Sequence, residues 1–235
     1  MTGHGSAVRD ELEGFAAARA GTLALVAGVP QAELDRARPS CAGRRKWSPG
    51  EILDHLILSE GFYRGELEAL IRLARSGRPA ALTRSFSELD ISVLFIPRAI
   101  LSLFALPLTL ATLLMPGPLQ DFATRSRLIP AQNPTVTTPR RGRPADELRQ
   151  ELSASLAATR AVLAANEDLD FGRMVYQHPL LGRKNVAEML RFLTLHEQRH
   201  HEQLTIALAA PGTGEVRAPF PGQVSTTERS GNERC

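Results

Sequence analysis

The sequence predicts an all-α fold: a four-helix bundle whose second and third helices are joined by a long crossover carrying extra short apolar helices. Three observations lead there. Leu, Ala and Arg, all good helix formers, number 34, 31 and 26 of the 235 residues, against 12 aromatics and few clustered β-branched residues. Four stretches of about 20 to 28 residues repeat apolar side chains at a helical period. The connection between the second and third runs from Gly77 to Arg143, too long for a hairpin, so the topology is not simple up-down-up-down. The hydrophobic fraction of 43% and charged fraction of 23% are those of a globular chain, long enough to bury a core without disulfides.

The first helix is read from Ser6 to about Val26, with Val8, Leu12, Phe15, Ala16, Leu23 and Val26 in approximate register, and Gly28 and Pro30 beyond its end. At Trp47-Ser48-Pro49-Gly50-Glu51, Ser48 suits an N-cap, Pro49 a first helical position and Glu51 the reciprocal acceptor of a capping box. This second helix continues to about Arg75, where Ser76-Gly77-Arg78-Pro79 stops it. The third opens near Pro144, buries Leu148, Leu152, Leu156, Ala157, Val162 and Leu163, and fades near Asn166. Tyr176 to Lys184 reads as a turn-rich connection. Asn185 and Glu188 then have cap-and-N3 spacing for a fourth helix reaching about Ala210, before Pro211-Gly212.

One domain, residues 1–211, accounts for these elements, followed by a polar, flexible tail over 212–235. The domain carries an apolar insertion at about residues 85–116 and a Pro-rich strap over 116–143. Within the insertion, Ile91 to Met115 is a 25-residue run with one charge, Arg98, and two prolines, Pro97 and Pro107. About 20 residues span a bilayer, but these three residues divide the run into shorter pieces. It reads as short helices covering the bundle, shaping a pocket or a homodimer contact; peripheral membrane contact or insertion is the alternative.

The net charge of +3 comes almost wholly from arginine, Lys46 and Lys184 being the only lysines. The basic clusters Arg44-Arg45-Lys46 and Arg140-Arg141-Gly142-Arg143 flank helix starts, with only Trp47 as an adjoining aromatic. They read as solvated loop charge, and no nucleic-acid partner is expected. Cys41 and Cys235 form neither a disulfide framework nor a thiolate metal site. Met1 to Glu13 holds acids and no apolar core of a signal peptide, so a cytoplasmic location is expected.

The chemistry lies in three of the six histidines. His196 and His200 are four residues apart, on one helical face, in register with Met189, Leu193, Gln203 and Ala207. His55 belongs to the apolar stripe of Ile52, Leu56, Phe62, Tyr63 and Leu70 on another helix. Unpaired imidazoles are costly to bury, yet three neutral ones on facing helices match the facial set a divalent metal takes, with one coordination position left open. The bland alternative is that each is a hydrogen-bonded core residue. His201 points about 100° away from His200 and should be solvated. His4 falls in the N-terminal tail, and His178, before a proline, should fix its loop or line a pocket.

His196-Glu197-Gln198-Arg199-His200 also reads as H-E-x-x-H, in which the glutamate is the base of a zinc metallopeptidase. The extended form of that motif needs Gly and His where Gln203 and Ile206 stand, and no later helix supplies another ligand.

Together, Trp47-Ser48-Pro49-Gly50-Glu51-Ile52-Leu53-Asp54-His55-Leu56, His178-Pro179-Leu180-Leu181-Gly182 and His196-Glu197-Gln198-Arg199-His200-His201-Glu202-Gln203-Leu204 resemble the DinB-like superfamily of bacterial metal-binding four-helix bundles. The likeness covers the four bundle helices, and the apolar insertion departs from the compact family pattern. The resemblance implies a divalent metal, commonly zinc or nickel, on His55, His196 and His200. Some relatives are thiol transferases or thiol-dependent isomerases and others resemble hydrolases.

The expectation is a metal-dependent transferase or hydrolase that activates a thiol or water for a small-molecule substrate, with a low-molecular-weight thiol as a candidate partner. Glu197 is the candidate catalytic proton acceptor, or else a plain surface residue. The alternatives are a non-catalytic bundle whose insertion binds a partner or membrane, and an H-E-x-x-H peptidase.

Overall fold

Each bundle helix begins or ends where its local chemistry dictates. The computed structural model describes residues 3–37, 46–85, 88, 135–178 and 182–209. The insertion's apolar run, residues 116–134 of the strap, both cysteines and the tail from 212 lie outside the described residues. Helix α1 (Gly3–Val26) starts three residues before the expected Ser6 and so includes His4 in its first turn. A single turn, α2 (Gln31–Asp35), follows and inserts Leu34 into the core.

Helix α3 (Pro49–Arg75) opens on the expected capping box: Ser48 Oγ accepts from Glu51 N, and Glu51 Oε2 accepts from Ser48 N at 2.8 Å. Gly50 allows a close approach there, since a Cβ would meet the Leu34 carbonyl oxygen at 3.1 Å and push it back by a few tenths of an ångström. The helix ends at Gly77, whose φ of +71° places it in the left-handed region that a glycine C′ residue favours. Helix α4 (Ala145–Ala164) follows Pro144. Helix α5 (Val186–Ala209) has the second expected capping box, Asn185 N donating to Glu188 Oε2 at 2.7 Å and Glu188 N to Asn185 Oδ1 at 2.9 Å.

The turn-rich connection is instead part of a small sheet. β1 (Ala81–Thr83), β2 (Val175–His178) and β3 (Gly182–Lys184) lie in the order β1-β2-β3. Ala81, Leu82 and Thr83 pair in parallel with Val175, Tyr176 and Gln177, and β2 pairs antiparallel with β3. Alternation buries Tyr176 and His178 on the bundle side.

Two apolar clusters fill the bundle. One holds Val8 and Phe15 of α1, Tyr63, Leu67 and Leu70 of α3, Leu163 of α4 and Met189 and Leu193 of α5. The other holds Val26, Leu53 and Leu56, Leu148 and Leu152, and Leu204. The order in which each helix visits the clusters shows that α1 and α5 run one way and α3 and α4 the other. Helices α3 and α4 are thus parallel neighbours, a pairing that requires the chain to return the length of the bundle between them. This accounts for the long crossover. No described helix is long and apolar enough to cross a membrane.

Candidate metal centre

Between the two apolar clusters every bundle helix contributes buried polar residues: Arg19 and Thr22, Ser59 and Glu60, Ser155 and Thr159, Glu197 and His200. On α1 the inward line Val8, Leu12, Phe15, Arg19, Thr22, Val26 steps by four and three residues, so Arg19 points inward because helical geometry puts it there.

Arg19, only 1% exposed, is held by two carboxylates. Its Nε and Nη2 donate to Oε1 and Oε2 of Glu197 at 3.1 and 3.0 Å, and Nη1 donates to Glu60 Oε2 at 2.9 Å and to the Leu152 carbonyl at 2.6 Å. Thr159 Oγ1 donates to the other Glu60 oxygen at 2.7 Å. Burial works against the guanidinium charge, but attraction to Glu197 and then Glu60 outweighs it and raises the Arg19 pKa.

Glu197 is therefore no surface residue. It is 1% exposed, and both of its carboxylate oxygens face Arg19. Sequence spacing cannot separate the inward line Leu193, Glu197, His200, Leu204 from the adjoining line that carries His196, because the two faces overlap.

The three histidines come together beside this layer. His196 Nε2 lies 3.2 Å from His55 Nε2 and 3.2 Å from His200 Nε2, and all three ligand atoms fall within 4.8 Å of one another. Two nitrogens bound to one metal at about 2.0–2.1 Å in a tetrahedral arrangement are about 3.3 Å apart, a spacing that the His55–His196 and His196–His200 pairs match. His55 and His200 are buried while His196 is partly exposed. Burial first, then the neighbouring His200 and His55, push the His196 pKa well below its ordinary value, which keeps the ring neutral as ligation requires.

His55 Nδ1 lies 2.7 Å from the Thr137 carbonyl oxygen. A carbonyl only accepts, so Nδ1 carries the proton and Nε2 presents its lone pair to the cluster. This is the outer hydrogen bond that metal-ligating imidazoles use. Trp47 roofs the group, its ring 4.8 Å from that of His55 and 6.5 Å from that of His200.

The donor set of three imidazole nitrogens suits a first-row divalent ion and leaves room for a further ligand. Among the described residues, His55, His196 and His200 are thus a group that could hold a metal ion. His201 is half-buried rather than solvated, its ring 3.8 Å from the position of a Cβ on Gly21. His178 is buried at the end of β2 and does not join the cluster. Of the basic residues read as loop charge, Arg140, Arg141 and Arg143 pair with Asp54, Glu51 and Asp54, while Arg44 and Arg45 lie outside the described residues.

A model of the DinB superfamily matches residues 15–204, most of the chain and all three histidines. The chain belongs to the DinB superfamily. Comparison with curated proteins and with solved structures gives no match. This DinB-superfamily chain thus pairs the family's helical fold with a three-histidine cluster at mid-bundle.

Thr137, Arg19, Glu60 and Asp54 support the site and were not singled out in the sequence. An arginine on the inward line of α1 and acids on that of α3 were the available signals for three of them. The contribution of Thr137 is a backbone carbonyl, which no sequence pattern reveals.

Proposed function

We propose that the protein is a metal-dependent enzyme of the transferase or hydrolase type, acting on a small molecule. The observation that carries this reading is the convergence of three imidazole nitrogens from two facing helices, with His196 Nε2 3.2 Å from both of the others. A divalent ion bound there would act as a Lewis acid, lowering the pKa of a coordinated thiol or water. Imidazole ligands suit several first-row divalent ions, and membership of the DinB superfamily favours zinc or nickel among them.

The chain's own residues do the rest. His55 is oriented by Thr137, while Trp47 lies against the rings on one side and offers an apolar surface to the body of a substrate. A low-molecular-weight thiol is the proposed co-substrate and the second substrate is an electrophile. Glu197 serves as the anionic partner of Arg19 rather than as a base, because both its oxygens are engaged. This argues against the peptidase reading, which needs that carboxylate at the metal.

Elemental analysis of untagged protein tests the proposal. One divalent ion per chain is expected, lost in His55→Ala, His196→Ala and His200→Ala. Retention of metal in all three variants would overturn it. With metal present, a panel of small thiols against a chromogenic aryl halide separates transferase from hydrolase activity, the latter read on activated esters without thiol. Glu197→Gln is expected to lower stability more than turnover, and casein cleavage abolished by that change would reinstate the peptidase.

A further inference from the structure

Asp54 and His55 are consecutive on α3 and grip the same piece of crossover from different sides. Asp54 is fully buried, which a carboxylate tolerates only when it is paired. Its Oδ2 accepts from the backbone N–H of Arg140 at 2.7 Å and from Arg140 Nε at 3.3 Å, and its Oδ1 from Arg140 Nη2 and Arg143 Nη1, both at 2.9 Å. One helical turn earlier, Glu51 Oε1 accepts from Arg141 Nε at 3.2 Å. Three residues before Arg140, the 3-10 turn Thr135–Thr137 ends at the buried Thr137, whose carbonyl meets His55 Nδ1.

The pattern is more than a tether. A tether needs only the guanidinium groups, and these could bind any carboxylate near the surface. Here a backbone N–H is also captured, which fixes the path of the chain and not merely its proximity. With Arg140 N held at 2.7 Å, the chain between residues 137 and 140 has little freedom, so the Thr137 carbonyl is set in direction as well as distance. A neutral histidine has two tautomers of similar energy, and the outer hydrogen bond decides which one is populated.

We propose that Asp54 is a positioning residue for the metal ligand His55. By seating Arg140 and Arg143 it holds the Thr137 carbonyl against Nδ1, so that Nε2 is the nitrogen offered to the ion. This inference rests on the proposed metal function for its role in affinity, while its structural half stands on the apo protein.

Two measurements test it. In metal-free protein, long-range proton–nitrogen correlation of the imidazole signals is expected to show His55 as the Nδ1–H tautomer alone; in Asp54→Ala a mixture with the Nε2–H form should appear. In the second, Co²⁺ is titrated while the fluorescence of Trp47, the single tryptophan, is followed. Asp54→Ala should raise Kd about 10- to 100-fold, the usual cost of losing an outer partner. Arg140→Ala, in which the lost side chain is 60% exposed and the fold is expected to be retained, should raise it less, and Arg140→Lys should recover part of that loss.

The inference is overturned if Asp54→Ala, or Arg140→Ala should the first variant not fold, keeps both the single tautomer and the wild-type Kd. Failure of wild-type protein to bind Co²⁺ would remove the metal function, whereas the tautomer of the apo protein would still decide the positioning role.

Discussion

Arg19 sits where an unpaired charge would be intolerable, between two carboxylates in a layer closed above and below by apolar side chains. Changing Arg19 to Ala leaves Glu60 and Glu197 buried without their cation, an uncompensated arrangement that costs about 3–5 kcal/mol. Urea unfolding should show that loss, while the triple change Arg19→Met, Glu60→Gln, Glu197→Gln should lose much less because no buried charge survives. His178 gives a pH signature of its own. Burial pushes its pKa down to about 3, against an ordinary value near 6.5. Between those values the unfolded chain binds a proton that the native protein refuses, so its contribution is fully present above the unfolded pKa and lost as pH falls through the window. The loss is at most about 1.4 kcal/mol per pH unit. His178→Phe should reduce the slope of unfolding free energy between pH 6 and 4 by close to one proton. The histidine cluster was legible in the sequence because two of its members share a helix face and the third sits on an apolar stripe. The orientation of Glu197 was not, since a face shared by two inward lines is resolved only by the neighbour across from it, Arg19.

At the level of elements, α3 and α5 were readable because their caps are local, Ser48 with Glu51, Asn185 with Glu188 and Gly77 after α3, whereas α1 and α4 were readable from their apolar period. Ser48→Ala removes the acceptor for Glu51 N and should cost about 1 kcal/mol in thermal or denaturant unfolding. Because α3 also carries His55 within two turns of that cap, metal affinity should fall in the same variant. The three-stranded sheet escaped notice for a different reason. Its strands hold three or four residues each, too few to establish an alternation, and β1 pairs with β2 across the whole crossover and α4. Pairing at that separation leaves no local trace. Glu66 on α3 binds Arg84 just after β1 at 3.1 Å through both carboxylate oxygens, so the sheet is fastened to the bundle by a charge pair as well as by Tyr176.

For the whole molecule, the polar mid-layer divides the hydrophobic interior in two and ties all four helices to each other at one height. An ion on His55, His196 and His200 would add a crosslink between α3 and α5 at that height. Zn²⁺ at 100 times its Kd should stabilise the fold by about 2.7 kcal/mol, raising the thermal midpoint by about 5–10 °C for a chain of this size. Calorimetry with and without Zn²⁺ checks the shift, and His200→Ala should abolish it. The parallel pairing of α3 with α4, foreseen as a departure from up-down-up-down order, leaves α1 beside α5, with Glu11, Arg19 and Gly21 facing Arg191, Glu197 and His201. That adjacency joins two helices made far apart in time, Arg19 and Glu197 being 178 residues apart along the chain. Until α5 has been made Arg19 lacks Glu197, and an ion cannot be held by all three histidines. Closure of the bundle therefore waits for α5, a long-range step that the topology itself imposes.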